Sequence, residues 1–212
     1  MTPSILHGMP AYWAEAIDSL GQADATMGAL IERYPDISLR TRGAPFVTLA
    51  RSIVGQQISV KAADSVWARV VAHFPGPTPE AVLAAPVEAL RACGLSARKV
   101  EYLQDLAGRW LDGRLHATAW ERMSDAEVAT ELTAVRGIGI WTAEMFLIFT
   151  LLRPDILPLD DIGLQRAVAV HYLDGVRPSR RQLQELGECW RPWRTVATWY
   201  LWRSLDPVPV EY

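Results

Sequence analysis

Polar residues typical of helix N-caps recur along the chain, and this feature constrains the fold most. Ser59, Ser96, Ser124 and Ser179 each precede a stretch with apolar residues three and four positions apart, as at the start of an amphipathic helix. Residues 124–127, Ser-Asp-Ala-Glu, form a capping-box sequence. No stretch alternates convincingly between apolar and polar residues. The sequence therefore predicts an all-α fold of about ten helices with short connections.

Composition narrows the class of protein. The chain has 212 residues, of which 50% are hydrophobic and 21% charged, which is typical of a globular protein. No apolar run is long enough to cross a membrane, and the N-terminus does not resemble a signal peptide. Cys93 and Cys189 are far apart, which excludes a thiolate metal cluster and argues against a disulfide framework. We therefore expect a cytoplasmic protein without membrane contact.

The overall charge gives little support for a nucleic-acid partner. The net charge is −3 and the isoelectric point is near 5.8, whereas dedicated DNA-binding proteins are usually basic. Net charge is an average over the molecule, so a local basic patch stays compatible with this composition.

A glycine-rich break between two helices is the first candidate binding site. Residues 135–145 read VRGIGIWTAEM. Glycines let the backbone turn tightly and let an outside group approach, so the N–H groups of Arg136–Gly139 and of the next helix, which carries Thr142, can hold a phosphate. Ile138 would anchor the turn in the core. The main-chain carbonyls of Thr133, Val135 and Gly137 are candidate ligands of a monovalent cation. The alternative is an ordinary helical hairpin with glycine as a helix terminator.

Four segments resemble one family in the same order and spacing. They are SIVGQQISVKAADSVWARV, LRACGLSARKVEYLQDLA, the Gly-Ile-Gly turn followed by LPLDDIGLQRAV, and RPWRTVATWYLW. Together they cover residues 44–205. They resemble the helix-hairpin-helix DNA glycosylases, in the 3-methyladenine DNA glycosylase II branch. The chain is similar to a compact form of that branch without the additional N-terminal α/β domain of larger members.

The resemblance implies cleavage of an N-glycosidic bond, with Asp161 as the catalytic residue. An ionised carboxylate near C1′ stabilises an oxocarbenium-like sugar and can orient or deprotonate the attacking water. Asp160 and Asp161 are adjacent, so we expect Asp160 to cap the following helix and Asp161 to face the active-site cleft. The alternative is that both are acidic residues favoured by the helix dipole.

The resemblance also assigns residues to base extrusion and to the base pocket. Gln57, or Gln56 if the alignment shifts by one position, would be the wedge that fills the gap left by the flipped base. Trp141, Met145 and Trp202 would line the base pocket, where aromatic rings stack on a cationic base. Family members that cut the DNA strand use a lysine at the position of Trp141, so a monofunctional enzyme is expected. The four-cysteine iron-sulfur loop of other branches is absent from the sequence.

These observations lead to one main hypothesis and two alternatives. The main hypothesis is a two-lobed monomer that excises alkylated purines from damaged double-stranded DNA. It requires no cofactor, and a monovalent cation at the hairpin is a candidate structural ion. One lobe comprises residues 44–154, and the other comprises residues 1–43 and 155–212, with Asp161 in the cleft between them. The alternatives are a non-enzymatic helix-hairpin-helix DNA-binding module and a glycosylase for deaminated or other neutral damaged bases.

Overall fold

The computed structural model describes residues 9–35, 38–41, 43–74 and 76–206, and within these ranges the chain is helical without strands. The predicted all-α fold is confirmed. The helices, in chain order, are α1 (Trp13–Ala23), α2 (Ala25–Arg33), α3 (Pro45–Gly55), α4 (Val60–His73), α5 (Pro79–Ala84), α6 (Val87–Ala92), α7 (Ala97–Leu111), α8 (Asp125–Thr133), α9 (Ile140–Phe149), α10 (Ile162–Tyr172), α11 (Arg180–Glu188) and α12 (Arg194–Leu205).

Local capping determines where many of these helices begin. The Ser59, Ser96, Ser124 and Ser179 side chains each accept a hydrogen bond from a backbone N–H in the first turn of the helix that follows. At Ser124 and Ser179 the bond is reciprocated, which completes a capping box. None of the helices in the described part of the chain is both long and apolar enough to cross a lipid bilayer.

The described residues belong to two compact units. The first unit comprises the described residues of 9–41 and 147–206, and it is built around α12, whose residues from Thr195 to Leu201 are all buried. Asp24 joins three segments of this unit. It caps α2 through Thr26 and accepts hydrogen bonds from Tyr172 Oη, at 2.7 Å, and Trp190 Nε1, at 3.0 Å.

The second unit comprises the described residues of 43–146 and contains α3 to α8 and most of α9. Its core includes apolar side chains of α3 and α7, and Trp120 packs edge-to-face against Trp110 and Phe146. α7 is central to the positioning of the functional residues. Its buried face contributes Val100, Leu103, Leu106 and Ala107, so the helix is firmly seated in the core.

Candidate functional site

Asp161 is the N-cap of α10. Its backbone is extended, with φ −74° and ψ 120°, and its Oδ1 accepts a hydrogen bond from Leu164 N at 2.6 Å. The same oxygen accepts a second bond from Trp202 Nε1 at 2.8 Å. A backbone N–H of the first turn of α10 and an indole N–H of α12 thus both donate to this oxygen, and together they hold the carboxylate in one orientation.

The expectation that Asp160 caps α10 is wrong. α10 begins at Ile162, one residue later than that assignment requires, so the residue with N-cap geometry is Asp161. Asp160 is exposed and forms an ion pair with Arg180. The two aspartates therefore differ in environment: Asp161 is hydrogen-bonded to α12, whereas Asp160 lies on the surface.

Trp202 lies beside Asp161 in the same unit. Its indole ring is half-buried and stacks on Phe149, with ring centroids 5.7 Å apart and planes inclined by 13°. The indole N–H donates a hydrogen bond to Asp161, so the ring is held at its edge by Asp161 and on one face by Phe149. The structure thus brings two of the sequence-predicted site residues, Asp161 and Trp202, into direct contact.

Gly163 is a site residue that the sequence interpretation missed. A Cβ atom at this position would lie 3.1 Å from Asp161 Oδ1 and 3.2 Å from Trp202 Nε1. Both distances are shorter than ordinary van der Waals contact, so glycine leaves the space that the pair occupies. A sequence signal existed, because a glycine inside the first turn of a helix is unfavourable and often has a packing reason.

Gly163→Ala is therefore expected to separate activity from stability. The added methyl group displaces Asp161 and Trp202 by a few tenths of an ångström. With Asp161 as the predicted catalytic residue, this shift should lower the reaction rate about tenfold. The free energy of unfolding should change by less than about 1 kcal/mol, because alanine favours the helix and offsets the crowding. Thermal unfolding and single-turnover kinetics measure the two quantities, and a rate equal to that of the wild type would contradict this role of Gly163.

The loop between α3 and α4, residues 56–59, is termed the wedge loop. Gln57 is exposed and has a φ of +58°, a left-handed conformation that residues other than glycine seldom adopt. Gln56 is half-buried, and its Nε2 donates a hydrogen bond to the Gly137 carbonyl at 2.8 Å. The two glutamines, which the sequence left as alternatives, thus have different surroundings.

The predicted hairpin is the connection between α8 and α9, and residues 134–139 are termed the hairpin turn. Ile138 is buried, whereas Gly137 and Gly139 are exposed. Gly137 has a φ of +80°, and a Cβ atom there would lie 2.2 Å from Cδ2 of Tyr102. Glycine is required at this position for both its conformation and its size. Tyr102 carried no sequence signal for this contact.

The other end of the hairpin turn is accessible. Gly139 is the residue before α9, and its carbonyl accepts the first helical hydrogen bond, from Ala143 N at 3.1 Å. A Cβ atom at Gly139 would meet no atom within 4 Å. Since the first N–H groups of a helix lack intrahelical partners, this end of α9 can accept an anion. Thr142, on the first turn of α9, is half-buried.

One backbone N–H of the hairpin turn, that of Arg136, donates to a side chain of α7. Arg136 N donates to Asp105 Oδ2 at 2.9 Å, and Asp105 also pairs with Arg109. Burial acts to raise the pKa of the Asp105 carboxyl, but the bonds from Arg136 and Arg109 outweigh it and hold the pKa below its usual value. Asp105 is therefore ionised at neutral pH. Arg136 is exposed, and its backbone N–H is occupied by Asp105.

Two of the three carbonyls predicted to hold a cation accept hydrogen bonds within the protein. The Val135 carbonyl accepts from Ile138 N at 3.1 Å, and the Gly137 carbonyl accepts from Gln56. A carbonyl oxygen has two lone pairs, so each retains acceptor capacity. Thr133 is the last residue of α8, where the helix dipole is negative. The three carbonyls therefore stay candidate ligands of a monovalent cation, as the sequence predicts.

Trp141 and Met145 lie on α9. Trp141 is 39% exposed, which is unusual for so large an apolar side chain, and Met145 is half-buried. Both belong to the unit of residues 42–146, whereas Asp161 and Trp202 belong to the other unit.

Comparison with known proteins places the chain in a family. Residues 50–192 match the HhH-GPD superfamily of base excision DNA repair proteins. The chain is 32% identical over 206 residues to DNA-3-methyladenine glycosylase 1 of Schizosaccharomyces pombe, a match that covers 90% of each protein. The chain therefore belongs to the HhH-GPD superfamily, as the resemblance in the sequence predicted.

Solved structures agree with this assignment. The crystal structure of a DNA-3-methyladenine glycosidase from Bacillus halodurans has a TM-score of 0.85 at 37% identity, covering 90% of this chain and 89% of that one. The 3-methyladenine DNA glycosylase of Schizosaccharomyces pombe, in complex with abasic DNA, has a TM-score of 0.76 at 32% identity. That match covers 92% of this chain and 100% of the other.

Proposed function

We propose that this protein is a DNA glycosylase that excises alkylated purines, such as 3-methyladenine and 7-methylguanine, from double-stranded DNA and so begins base excision repair. The observation that carries the proposal is the Asp161 carboxylate, held at 2.8 Å by the indole N–H of Trp202. An anion beside an aromatic ring suits a reaction in which a cationic base leaves a sugar that becomes positively charged. The names of the similar glycosylases support the same substrate class.

The chemistry needs a fixed negative charge rather than a strong nucleophile. Alkylation gives the purine a positive charge, so the bond between C1′ and the base nitrogen breaks with its electron pair leaving on the base. The Asp161 carboxylate stabilises the oxocarbenium-like sugar. A water oxygen then bonds to C1′ and loses one proton, which Asp161 is suited to accept. The products are a free base and an abasic site.

Contacts with the base are assigned to three residues. Trp202 offers an indole whose orientation is set by Asp161 and Phe149, and such a ring stacks on an electron-poor purine. Trp141 and Met145 on α9 are the other two residues to which we assign base contacts. A cationic base gains from stacking alone, whereas a neutral base would need hydrogen bonds along its edge.

Extrusion of the base is assigned to the wedge loop and the hairpin turn. Gln57 is the wedge, because its side chain is exposed whereas the Gln56 amide already donates to Gly137. The N–H groups at the start of α9, next to the accessible Gly139, bind a DNA phosphate, and Arg136 adds a charged side chain. Ile138 anchors this turn in the core, and Thr142 lies beside the same helix end.

The proposal includes three further properties. The enzyme is monofunctional, because Trp141 occupies the position where strand-cleaving relatives use a lysine to form a Schiff base. A monovalent cation, held by the carbonyls of Thr133, Val135 and Gly137, would supply positive charge for a DNA phosphate and takes no part in bond cleavage. The protein acts as a monomer, in the cytoplasm.

Base release from defined duplexes tests this function. Duplexes that carry 3-methyladenine, 7-methylguanine, hypoxanthine or uracil are incubated with excess protein, and released bases are separated by chromatography. We expect release of the two methylated purines and intact strands until the abasic sites are cleaved by alkali. Release of only the neutral bases would favour the glycosylase alternative, and DNA binding without any release would favour the non-enzymatic module.

A further inference from the structure

The wedge loop and the hairpin turn are joined directly, although they are far apart in sequence. Gln56 Nε2 donates to the Gly137 carbonyl at 2.8 Å across 81 residues of chain. The bond joins the wedge loop, to which we assign extrusion of the base, to the hairpin turn, to which we assign binding of the DNA backbone. Movement of either segment therefore strains or breaks a contact with the other.

One stripe of α7 contacts the hairpin turn and the end of α3 that leads into the wedge loop. Lys99 Nζ donates to the Val54 carbonyl at 2.7 Å, in the last turn of α3, immediately before the wedge loop. The Tyr102 ring packs against Gly137, and Asp105 accepts the N–H of Arg136. Residues three apart lie on the same side of a helix, so Lys99, Tyr102 and Asp105 form one continuous stripe, which we term the α7 brace.

The brace differs from the core face of the same helix. All three of its residues are half-buried, and two of them make polar contacts with main-chain groups: Lys99 with the last turn of α3 and Asp105 with the hairpin turn. The apolar face of α7 already seats the helix in the core. A cationic lysine at the carboxyl end of α3 complements the helix dipole, and it fixes the end of α3 from which the wedge loop starts.

We propose that Gln56 and the α7 brace are positioning residues that hold the wedge loop and the hairpin turn in one register, so that phosphate binding at the turn places Gln57 for insertion. These residues act through Gln57 and the hairpin turn. The activity measurement for this proposal rests on the proposed function. The positioning residues affect only extrusion of the base. Cleavage of the glycosidic bond, once the base is extruded, depends on Asp161 and should be unaffected.

The test compares a lesion that is hard to extrude with one that is easy. Single-turnover release of 7-methylguanine is measured for Gln56→Met and Lys99→Met, with the lesion paired to cytosine or mismatched with thymine. Methionine has similar length but no N–H group to donate. Because a mismatch lowers the cost of extrusion, we expect each variant to be about tenfold slower on the paired lesion, as for the loss of one hydrogen bond, but within about threefold of wild type on the mismatched one.

A control variant and a double variant separate a positioning role from a general loss of structure. Gln184→Met changes an exposed glutamine on α11 and should match wild type on both duplexes. If the role of Gln56 were only structural, release from both duplexes would be slowed equally. That result, or an unchanged rate on both duplexes, would overturn the proposal. The double variant should be no more than about threefold slower than either single one, because both changes act on the same loop.

A second measurement does not depend on base release. A 2-aminopurine placed beside an abasic-site analogue in a duplex becomes fluorescent when the protein unstacks it. We expect Gln56→Met to bind this duplex with a smaller fluorescence increase than wild type at saturation, and an equal increase would overturn the proposal. If the wild type releases no base from any duplex, the proposed function fails while the fluorescence still decides the role of Gln56.

Discussion

Asp161→Asn is expected to lower the single-turnover rate of 7-methylguanine release by about 10³-fold, the loss typical of removing one fixed electrostatic contact to a transition state. Asparagine removes the negative charge but keeps a side-chain oxygen that can accept the hydrogen bond from Leu164 N. Because asparagine is also a favourable N-cap residue, the free energy of unfolding should change by less than about 1 kcal/mol. Quench-flow kinetics and thermal unfolding of the same preparations measure both effects.

The matched control is Asp160→Asn, the same substitution one residue earlier. Asp160 is exposed and pairs with Arg180 on the surface, where an ion pair contributes about 0–1 kcal/mol. Its rate should stay within about twofold of wild type, since no assigned contact of the reaction involves it. Equal losses in the two variants would show that the general acidity of this helix end, rather than the Asp161 carboxylate, supports catalysis.

Gly137→Ala is expected to lower the free energy of unfolding by at least about 2 kcal/mol. Alanine is strained at a φ of +80°, and its Cβ would overlap the Tyr102 ring, at 2.2 Å from Cδ2. The hairpin turn cannot keep its shape with this substitution, so affinity for an abasic-site duplex should also fall by more than about tenfold. Thermal unfolding and fluorescence anisotropy with a labelled duplex give the two values.

Gly139→Ala provides the comparison within the same turn. Its Cβ would meet no protein atom within 4 Å, so the free energy of unfolding should fall by no more than about 1 kcal/mol, the scale of an N-cap change. The methyl group stands where a phosphate would approach, and affinity for the duplex should still decrease. Equal destabilisation by the two substitutions would contradict the distinct roles assigned to the two glycines.

The helices were predictable because their signals are local. The capping boxes at Ser124 and Ser179 involve residues three positions apart, and the structure contains both. The prediction failed at α10, where two adjacent aspartates offer the same chemistry to the same helix end. Which one becomes the cap depends on a one-residue difference in where the helix begins, and the hydrogen bond between Asp161 and Trp202 belongs to the packing of α10 against α12.

The sequence predicted which residues belong to the site, but it did not predict the contacts that hold them in place. The resemblance in the sequence pointed to Asp161, Trp202 and the two glutamines of the wedge loop. Gly163, Tyr102 and Lys99 were missed because each acts by fitting or holding another segment of the chain. Lys99 is one of only two lysines, yet nothing in its neighbours indicates that it binds the end of α3.

The sequence by itself determined the all-α class, the helix boundaries set by serine caps and the family, because caps, periodicity and motifs depend on residues close together in the chain. The tertiary structure decided which aspartate caps α10, that Trp202 holds Asp161, and that Gln56 joins the wedge loop to the hairpin turn. These last two contacts link residues 41 and 81 positions apart. Such contacts depend on how folded segments pack, and a local pattern carries no information about that packing.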